Sequence, residues 1–258
     1  MKTVQSQDGT TIAYDVSGDG PALVLVSGAS TDRASNQRFA AALAERFTVY
    51  NYDRRGRGDS GDTAPYAVER EIEDLNAVLG AAGGSAAVLG FSSGGALSIN
   101  AAAAGSPITR LLLWEVPYST APDGPQRHKE YTTKLADLLA ADRRGDAVEH
   151  FMTLVGLPAE MIAGMRGAPF WAGLEALAPT LAYDAAVFGD NTVPVDKLAG
   201  IAVPALVLDG GASPQFLRDA SAAIADALPA STYRTLEGQD HNVAPEVITP
   251  VVIEFATE

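Results

Sequence analysis

Short runs of apolar and β-branched residues recur along the chain, separated by longer amphipathic segments. Runs of strand length occupy residues 22–26, 47–52, 86–91, 108–114, 203–208 and 232–236. Two further segments, 3–7 and 11–17, flank an Asp8-Gly9 turn and predict an opening β-hairpin. The pattern therefore predicts a sheet of eight strands.

The amphipathic segments between these runs are rich in alanine and leucine. They predict helices over residues 31–46, 68–82, 94–104 and 214–227. A last helix is expected from Pro245, and Pro250 should kink or shorten it. Strands that alternate with helices in this way predict an α/β fold, with a mostly parallel sheet and helices on both of its faces.

The alternation stops in the middle of the chain. From residue 117 to residue 195 the pattern is helical, broken by Pro158, Pro169 and Pro179, and contains no run typical of a strand. We therefore expect residues 1–116 and 196–258 to form one α/β core. Residues 117–195 should form a helical cap, or lid, above the sheet.

Composition narrows the possible functions. The absence of cysteine excludes disulfides, thiolate catalysis and cysteine-based zinc sites. A formal net charge of −14 argues against binding to nucleic acid or to anionic membranes. The N-terminus lacks a signal-peptide pattern, and the apolar runs are shorter than a membrane span. These features predict a soluble cytoplasmic protein and leave its oligomeric state open.

A candidate nucleophile lies between the fifth predicted strand and the helix that follows it. Residues 90–94 read Gly-Phe-Ser-Ser-Gly and match the G-x-S-x-G nucleophile elbow. The tight strand-to-helix turn leaves no room for side chains two residues before and after the nucleophile, so both positions are glycine. The glycine spacing centres on Ser92 rather than on Ser93, and we predict that Ser92 is the nucleophile.

A serine hydroxyl needs a base to remove its proton, and the chain contains 3 histidines. His128 and His150 lie in the predicted cap and are interpreted as surface residues. His241 follows the last predicted strand and a polar loop near the C-terminus. In proteins with this elbow motif, the histidine follows the serine and the acid along the chain. His241 fits this order, and we predict that it is the base.

The chain resembles the α/β-hydrolase superfamily over essentially its whole length. The matching segments are the elbow, the Asp-Arg-Arg-Gly-Arg-Gly-Asp-Ser turn at 53–60, the Ser-Gly-Ala loop at 27–29, and Asp240-His241. The resemblance implies the α/β-hydrolase fold with the helical cap inserted after strand six. It also implies an oxyanion hole made by the backbone N–H of Ser93 and that of Ala29 or Gly28. Ser-Gly stands here where many members have His-Gly.

The acid of the triad departs from the usual pattern of the family. Members usually carry an aspartate shortly after strand seven, but Ser213 occupies that position here. Glu115, directly after strand six, is our candidate for the acid, since some members place it there. Asp209, Asp240, Asp219 or the lack of any acid are the alternatives. This arrangement resembles the zearalenone-lactonase group and related actinobacterial esterases.

The predicted cap is rich in large apolar residues, most of which must pack its own helices. We expect some of them to line an apolar substrate pocket with a strand-end residue: Trp114, Phe151, Met152, Phe170, Trp171 and Phe188. The cap has few cationic residues near these apolar stretches. The expected partner is therefore a small, neutral, largely apolar ester or lactone.

The sequence thus predicts a serine hydrolase that forms an acyl-enzyme on Ser92 and uses no metal or organic cofactor. Cofactor-free haloperoxidase or perhydrolase chemistry and C–C bond hydrolysis use the same groups, and they remain alternatives. An alternative of another class is a small-molecule receptor or signalling protein with a vestigial triad.

Overall fold

Residues Ala22–Val26 and Ala86–Phe91 form the centre of a single eight-stranded sheet in the computed structural model, which describes residues 1–257. The strands are β1 (Lys2–Gln5), β2 (Thr11–Ser17), β3 (Ala22–Val26), β4 (Thr48–Tyr52), β5 (Ala86–Phe91), β6 (Ile108–Trp114), β7 (Ala205–Gly210) and β8 (Ser231–Leu236). Their order across the sheet is β1-β2-β4-β3-β5-β6-β7-β8. β2 pairs antiparallel with both neighbours, and every other pairing is parallel. The predicted eight-stranded, mostly parallel sheet is confirmed.

Helices cover both faces of the sheet, as the alternating pattern predicts. Those of the core are α1 (Gln37–Leu43), α2 (Val68–Ala81), α3 (Ser93–Ala103), α10 (Gln215–Ala227) and α11 (Pro245–Thr257). Two separate hydrophobic clusters fill the space under them, one on each face. β5 is apolar along its whole length and β7 along most of it, because side chains of both orientations are buried.

The structure differs from the predicted start of the first helix and from the shortening that Pro250 could cause in the last one. α1 begins at Gln37 rather than at residue 31, because polar side chains hold residues 31–36 in turns. The carboxylate of Asp32 accepts the N–H of Ser35 at 3.2 Å, a local bond that competes with helix formation. Pro250 does not shorten α11, which continues to Thr257. Pro250 has no N–H to donate to the carbonyl group of Glu246, one helical turn earlier. Both residues are exposed, so this missing hydrogen bond lies on the solvent side of the helix.

The chain between β6 and β7 is helical. It forms α4 (Gly124–Ala140), α5 (Arg144–Leu154), α6 (Ala159–Arg166), α7 (Trp171–Leu177), α8 (Leu181–Ala186) and α9 (Val195–Ala199), with a short 3-10 helix at Ala178–Thr180. The helices α4 to α8, called the cap below, enclose a third hydrophobic cluster of their own. Across residues 1–257, no helix combines the length and the apolar character needed to span a bilayer.

Candidate active site

Ser92 occupies the sharp turn between β5 and α3. Its backbone has φ 51° and ψ −121°, a conformation that non-glycine residues rarely adopt and that marks functional sites. A side-chain carbon at Gly94 would lie 2.3 Å from the carbonyl oxygen of Val26, and one at Gly90 would lie 2.6 Å from Cα of Gly95. Both glycines are therefore required by close backbone packing, and they allow the turn to present Ser92 at the edge of the sheet.

Glu115 lies beside Ser92 at the same edge. β5 and β6 pair in parallel with Phe91 opposite Trp114, so Ser92 and Glu115 are the next residues along two adjacent strands. Glu115 also has a positive φ, 43°, and its side chain is fully buried. Its Oε2 lies 2.7 Å from Nδ1 of His241.

His241 lies in the loop between β8 and α11, with 41% of its side chain exposed. The indole N–H of Trp114 donates a hydrogen bond of 3.0 Å to the backbone carbonyl of His241, which ties this loop to the end of β6. Within residues 1–257, the only side-chain hydrogen bond of the imidazole is to Glu115, and the Ser92 hydroxyl forms none. Nε2 and the hydroxyl therefore both have free hydrogen-bonding capacity.

The other candidate acids have different partners. Asp209 is buried and accepts a hydrogen bond from the hydroxyl of Tyr233. Asp240 accepts a hydrogen bond of 2.8 Å from the backbone N–H of Asn242. Asp219 is bound by the side chain of Gln215. Among the described residues, Glu115 is thus the carboxylate that contacts His241. Ser213, at the family's usual acid position, is buried, and its hydroxyl has no hydrogen-bond partner.

The loop expected to hold an oxyanion lies directly against the nucleophile. A side-chain carbon at Gly28 would come within 3.2 Å of Cβ of Ser92. The Gly28 carbonyl accepts hydrogen bonds from Arg57 at 2.6 Å and from the Thr31 hydroxyl at 2.8 Å. Ser93 is the first residue of α3, where backbone N–H groups lack helical partners. The predicted oxyanion residues Gly28, Ala29 and Ser93 therefore flank Ser92.

The match to a protein-family model identifies the family of the chain. Residues 23–248 match the model described as the alpha/beta hydrolase family. The chain belongs to this family. The match covers most of the core together with the inserted helices, and it agrees with the sheet order described above.

Solved structures of other alpha/beta hydrolases resemble this one. An alpha/beta hydrolase from Sphaerobacter thermophilus is 54% identical to this chain. The two structures have a TM-score of 0.90 over 98% of this chain and 99% of that chain. An esterase from Exiguobacterium antarcticum is 19% identical, with a TM-score of 0.78 over 100% of this chain and 99% of that chain. The likeness to the esterase shows a shared fold alone.

Curated relatives match over shorter segments. N-formylmaleamate deformylase from Pseudomonas putida is 37% identical over 122 residues, which are 46% of this chain and 44% of that protein. An uncharacterised hydrolase from Bacillus subtilis is 34% identical over 96 residues, 36% of this chain and 35% of that protein. The chain thus spans less than half the length of these relatives.

The other two histidines of this hydrolase lie on the helices between β6 and β7. His128 is on α4 and His150 on α5, where its Nε2 lies 3.2 Å from the carbonyl of Tyr131. Partial burial lowers the pKa of both imidazoles below the ordinary value. Within residues 1–257 neither imidazole is hydrogen-bonded to Glu115, in contrast to His241.

The six predicted pocket residues pack in different parts of the structure, and their contact with a substrate stays a prediction. Met152 and Trp171 are buried in the hydrophobic cluster of the cap, and Phe151 packs against it. Trp114 is buried in the core, and Phe188 packs edge-on against Tyr118. Phe170 is 54% exposed. Met152, Trp171 and Phe151 are thus used to pack the helices between β6 and β7, and Trp114 is used to pack the core.

A buried ionic network next to the elbow was not anticipated from the sequence. Arg54 forms a two-bond pair with Glu71, with distances of 2.7 and 2.8 Å. Asp184, on α8 of the cap, receives hydrogen bonds from Arg54, from Arg57 and from the hydroxyl of Ser93. A sequence signal existed in each partner: three arginines in one turn, and a single aspartate within the apolar stretch Leu-Ala-Tyr-Asp-Ala-Ala-Val.

Proposed function

We propose that this protein is a serine hydrolase that cleaves a carboxylic ester or lactone through an acyl-enzyme on Ser92. The observation that carries the proposal is the 2.7 Å contact between Nδ1 of His241 and the buried Glu115, beside a strained nucleophile elbow. A carboxylate in this position fixes the tautomer of the imidazole and stabilises its positive charge. That is the role the proposal gives to Glu115.

In the first half-reaction, Oγ of Ser92 attacks the ester carbonyl carbon while Nε2 of His241 takes the hydroxyl proton. The carbonyl oxygen becomes an oxyanion and accepts hydrogen bonds from the backbone N–H groups of Ser93 and Ala29. The bond from carbon to the alcohol oxygen then breaks. The imidazolium gives its proton to the departing alcohol, and the acyl group stays on Ser92.

In the second half-reaction, a water molecule gives a proton to Nε2 of His241 and attacks the acyl carbon. The same N–H groups hold the second oxyanion. Collapse of this intermediate breaks the bond to Oγ, which recovers its proton from the imidazolium. The products are a carboxylic acid and the regenerated enzyme; a lactone would give a single hydroxy acid.

The substrate we infer is neutral and largely apolar. A net charge of −14 disfavours anionic substrates by long-range repulsion. The Glu115 position of the acid, together with the Ser-Ser-Gly elbow, supports a likeness to the zearalenone-lactonase group and hence lactones as one substrate class. The partial likeness to a deformylase makes small formamides a further class to assay.

The first experiment measures release of p-nitrophenol from p-nitrophenyl butyrate by the wild type and by Ser92→Ala. Labelling with a fluorophosphonate, followed by mass spectrometry of the modified peptide, identifies the acylated residue and distinguishes Ser92 from Ser93. The mono-p-nitrophenyl ester of succinic acid serves as an anionic substrate matched to the butyrate ester. We expect hydrolysis and labelling in the wild type only, with a preference for the neutral ester.

Equal rates in the wild type and Ser92→Ala would refute the assignment of the nucleophile. A folded wild type that is neither labelled nor active on esters, lactones and formamides would favour the receptor alternative. Labelling of Ser92 without hydrolysis of these substrates would direct the search to C–C hydrolysis or peroxide-dependent chemistry.

A further inference from the structure

A single carboxylate oxygen from the cap connects the groups around the nucleophile. Asp184 is almost completely buried, and its Oδ1 accepts hydrogen bonds from Arg54 at 2.8 Å, Arg57 at 2.7 Å and the Ser93 hydroxyl at 2.7 Å. Its Oδ2 is buried without a partner. All the hydrogen bonds of this side chain are therefore directed to the core, and all pass through one atom.

Arg57 extends this contact to the oxyanion loop. While one of its nitrogens binds Asp184, another donates to the carbonyl of Gly28 at 2.6 Å. A trans peptide is planar, so the Gly28 carbonyl and the Ala29 N–H point in opposite directions. Fixing the carbonyl from one side therefore fixes the direction of the N–H on the other. A charged donor on the carbonyl also polarises the peptide and strengthens its N–H as a donor.

Ser93 extends the same contact to the other expected donor. Its hydroxyl donates to Asp184 and accepts a hydrogen bond from Arg54 at 3.2 Å. Because the side chain of Ser93 is anchored, the position of its backbone N–H at the start of α3 is anchored as well. The two N–H groups that flank Ser92 are thus each held, through one intervening side chain, by the same oxygen atom.

We propose that Asp184 is a positioning residue through which the cap sets the geometry of the oxyanion hole. This inference rests on the proposed function, because it concerns a hole that acts only in acyl transfer. Arg54 already has Glu71 as a two-bond partner, whereas Asp184 is the only carboxylate that binds Arg57 within residues 1–257. A correctly seated cap is therefore required to orient Arg57.

The charge state of Asp184 fits this role. Burial by itself raises the pKa of the carboxyl group, but the guanidinium groups of Arg57 and Arg54 outweigh it and hold the pKa below the ordinary value. Asp184 is therefore ionised at neutral pH, when the hydrolase would work. It neutralises the charge that Arg57 brings into the buried region.

The test compares Asp184→Ala with Asp184→Asn, which keeps an oxygen acceptor at the position of Oδ1. The control is Asp74→Ala, which removes another buried carboxylate that binds Arg55 in the same turn, at 2.7 and 2.8 Å, without a hydrogen bond to the loop at 27–31. A second pair is Ser93→Ala and, as control, Ser98→Ala. The hydroxyl of Ser98 is buried on the same helix and donates to the carbonyl of Gly94 at 2.7 Å.

Three experiments are made on each folded variant: the kinetics of p-nitrophenyl butyrate hydrolysis, which give kcat and KM, the inhibition constant of butylboronic acid, and the amide NMR shifts of residues 28, 29 and 93. The boronate forms a tetrahedral anion on a nucleophilic serine and so reports on the oxyanion hole. Loss of one whole donor typically costs about 10²–10³ in kcat, so we expect misorientation in Asp184→Ala to cost about 10- to 100-fold.

KM should change little in Asp184→Ala, the inhibition constant should rise by the same factor as kcat falls, and Asp184→Asn should recover part of both. The amides of Ala29 and Ser93 should shift in Asp184→Ala but not in Asp74→Ala, and Ser93→Ala should lower kcat and boronate binding more than Ser98→Ala does. Unchanged amides, or losses in kcat and boronate binding no larger than in the controls, would overturn the inference.

If Asp184→Ala does not fold, the Ser93 pair decides. If the wild type hydrolyses nothing and binds no boronate, the proposed function fails, and the amide shifts alone decide whether Asp184 positions the two N–H groups.

Discussion

Glu115 accepts the backbone N–H of Gly210 on its Oε1 at 2.7 Å, while its Oε2 contacts His241. Gly210 is the last residue of β7, the strand after which the family usually carries its acid. The end of β7 therefore orients a carboxylate that comes from β6. The hydrogen bond removes rotational freedom from a glutamate side chain, which is longer than an aspartate and needs this restraint to hold an imidazole.

Replacing Glu115 by glutamine should remove the charge while nearly preserving the shape of the side chain. We expect kcat to fall by about 10³- to 10⁴-fold, because the imidazole loses its preferred tautomer and the stabilisation of its charge. The measurement is kcat on p-nitrophenyl butyrate, with Asp209→Asn as the control. Asp209 is equally buried, but it bonds to Tyr233 instead. A large loss in the control with little loss in Glu115→Gln would show that the acid is misassigned.

Trp114 should affect catalysis through the loop that carries His241. Trp114→Phe removes the N–H that binds the His241 carbonyl at 3.0 Å. A hydrogen bond of this kind contributes about 1 kcal/mol, so we expect kcat to fall by about 5-fold with KM little changed.

The matched control for Trp114 is Trp171→Phe. Trp171 is a buried tryptophan of the cap whose indole N–H donates to Glu175 at 3.1 Å. Both variants should unfold at lower denaturant concentration than the wild type, and only Trp114→Phe should lose kcat. An equal loss of kcat in both variants would contradict a specific contribution from the His241 loop.

Gly94 and Gly80 should respond to alanine in opposite directions. A side-chain carbon at Gly94 would lie 2.3 Å from a backbone oxygen, whereas one at Gly80, in the exposed last turn of α2, would meet nothing within 4 Å. We expect Gly94→Ala to destabilise the fold by about 1–3 kcal/mol or more, and Gly80→Ala to stabilise it by about 0.5–1 kcal/mol. Urea unfolding measures both, and a neutral Gly94→Ala would show that the elbow tolerates a side chain.

Local patterns were sufficient to predict the strands and most core helices, because these elements are buried along one face or on both. β3, β5 and β6 have the predicted bounds. The start of α1 was not predictable in the same way. Residues 31–36 are held by side-chain contacts with distant carboxylates, such as Arg33 with Asp15, and a single sequence does not reveal these contacts.

The same difference between local patterns and distant contacts decides which residues of the candidate site could be predicted. Ser92 and His241 follow from a motif and from chain order, and Glu115 from its position at the end of a strand. Asp184 comes from a segment 91 residues from Ser93, and only the seating of the cap on the core brings the two together. The predicted pocket residues pack in different parts of the structure for a related reason, since apolar character indicates that a side chain is buried but not which surface it packs against.

The buried acids should make stability depend on pH in a way that separates Asp184 from Asp74. Burial raises the pKa of both carboxyl groups, but in Asp184 the arginines outweigh it, and the pKa lies below the ordinary 3.8. In Asp74 burial prevails over Arg55, and the pKa is raised. A lowered folded-state pKa contributes stability that is present above the unfolded-state pKa and is lost as the pH falls through the folded-state value. A raised pKa has the opposite effect.

The free energy of unfolding should therefore fall less steeply below about pH 4 in Asp184→Asn than in the wild type. In Asp74→Asn, the free energy of unfolding should rise more steeply with pH than in the wild type just above about pH 4. The reason is that ionisation of Asp74, whose pKa is raised, lowers the stability of the wild type as the pH increases. Urea unfolding at a series of pH values between neutrality and about pH 3 gives both slopes. If Asp184→Asn kept the wild-type slope, its carboxylate would not be held ionised by Arg54 and Arg57, and the charge balance assigned to the network would be incorrect.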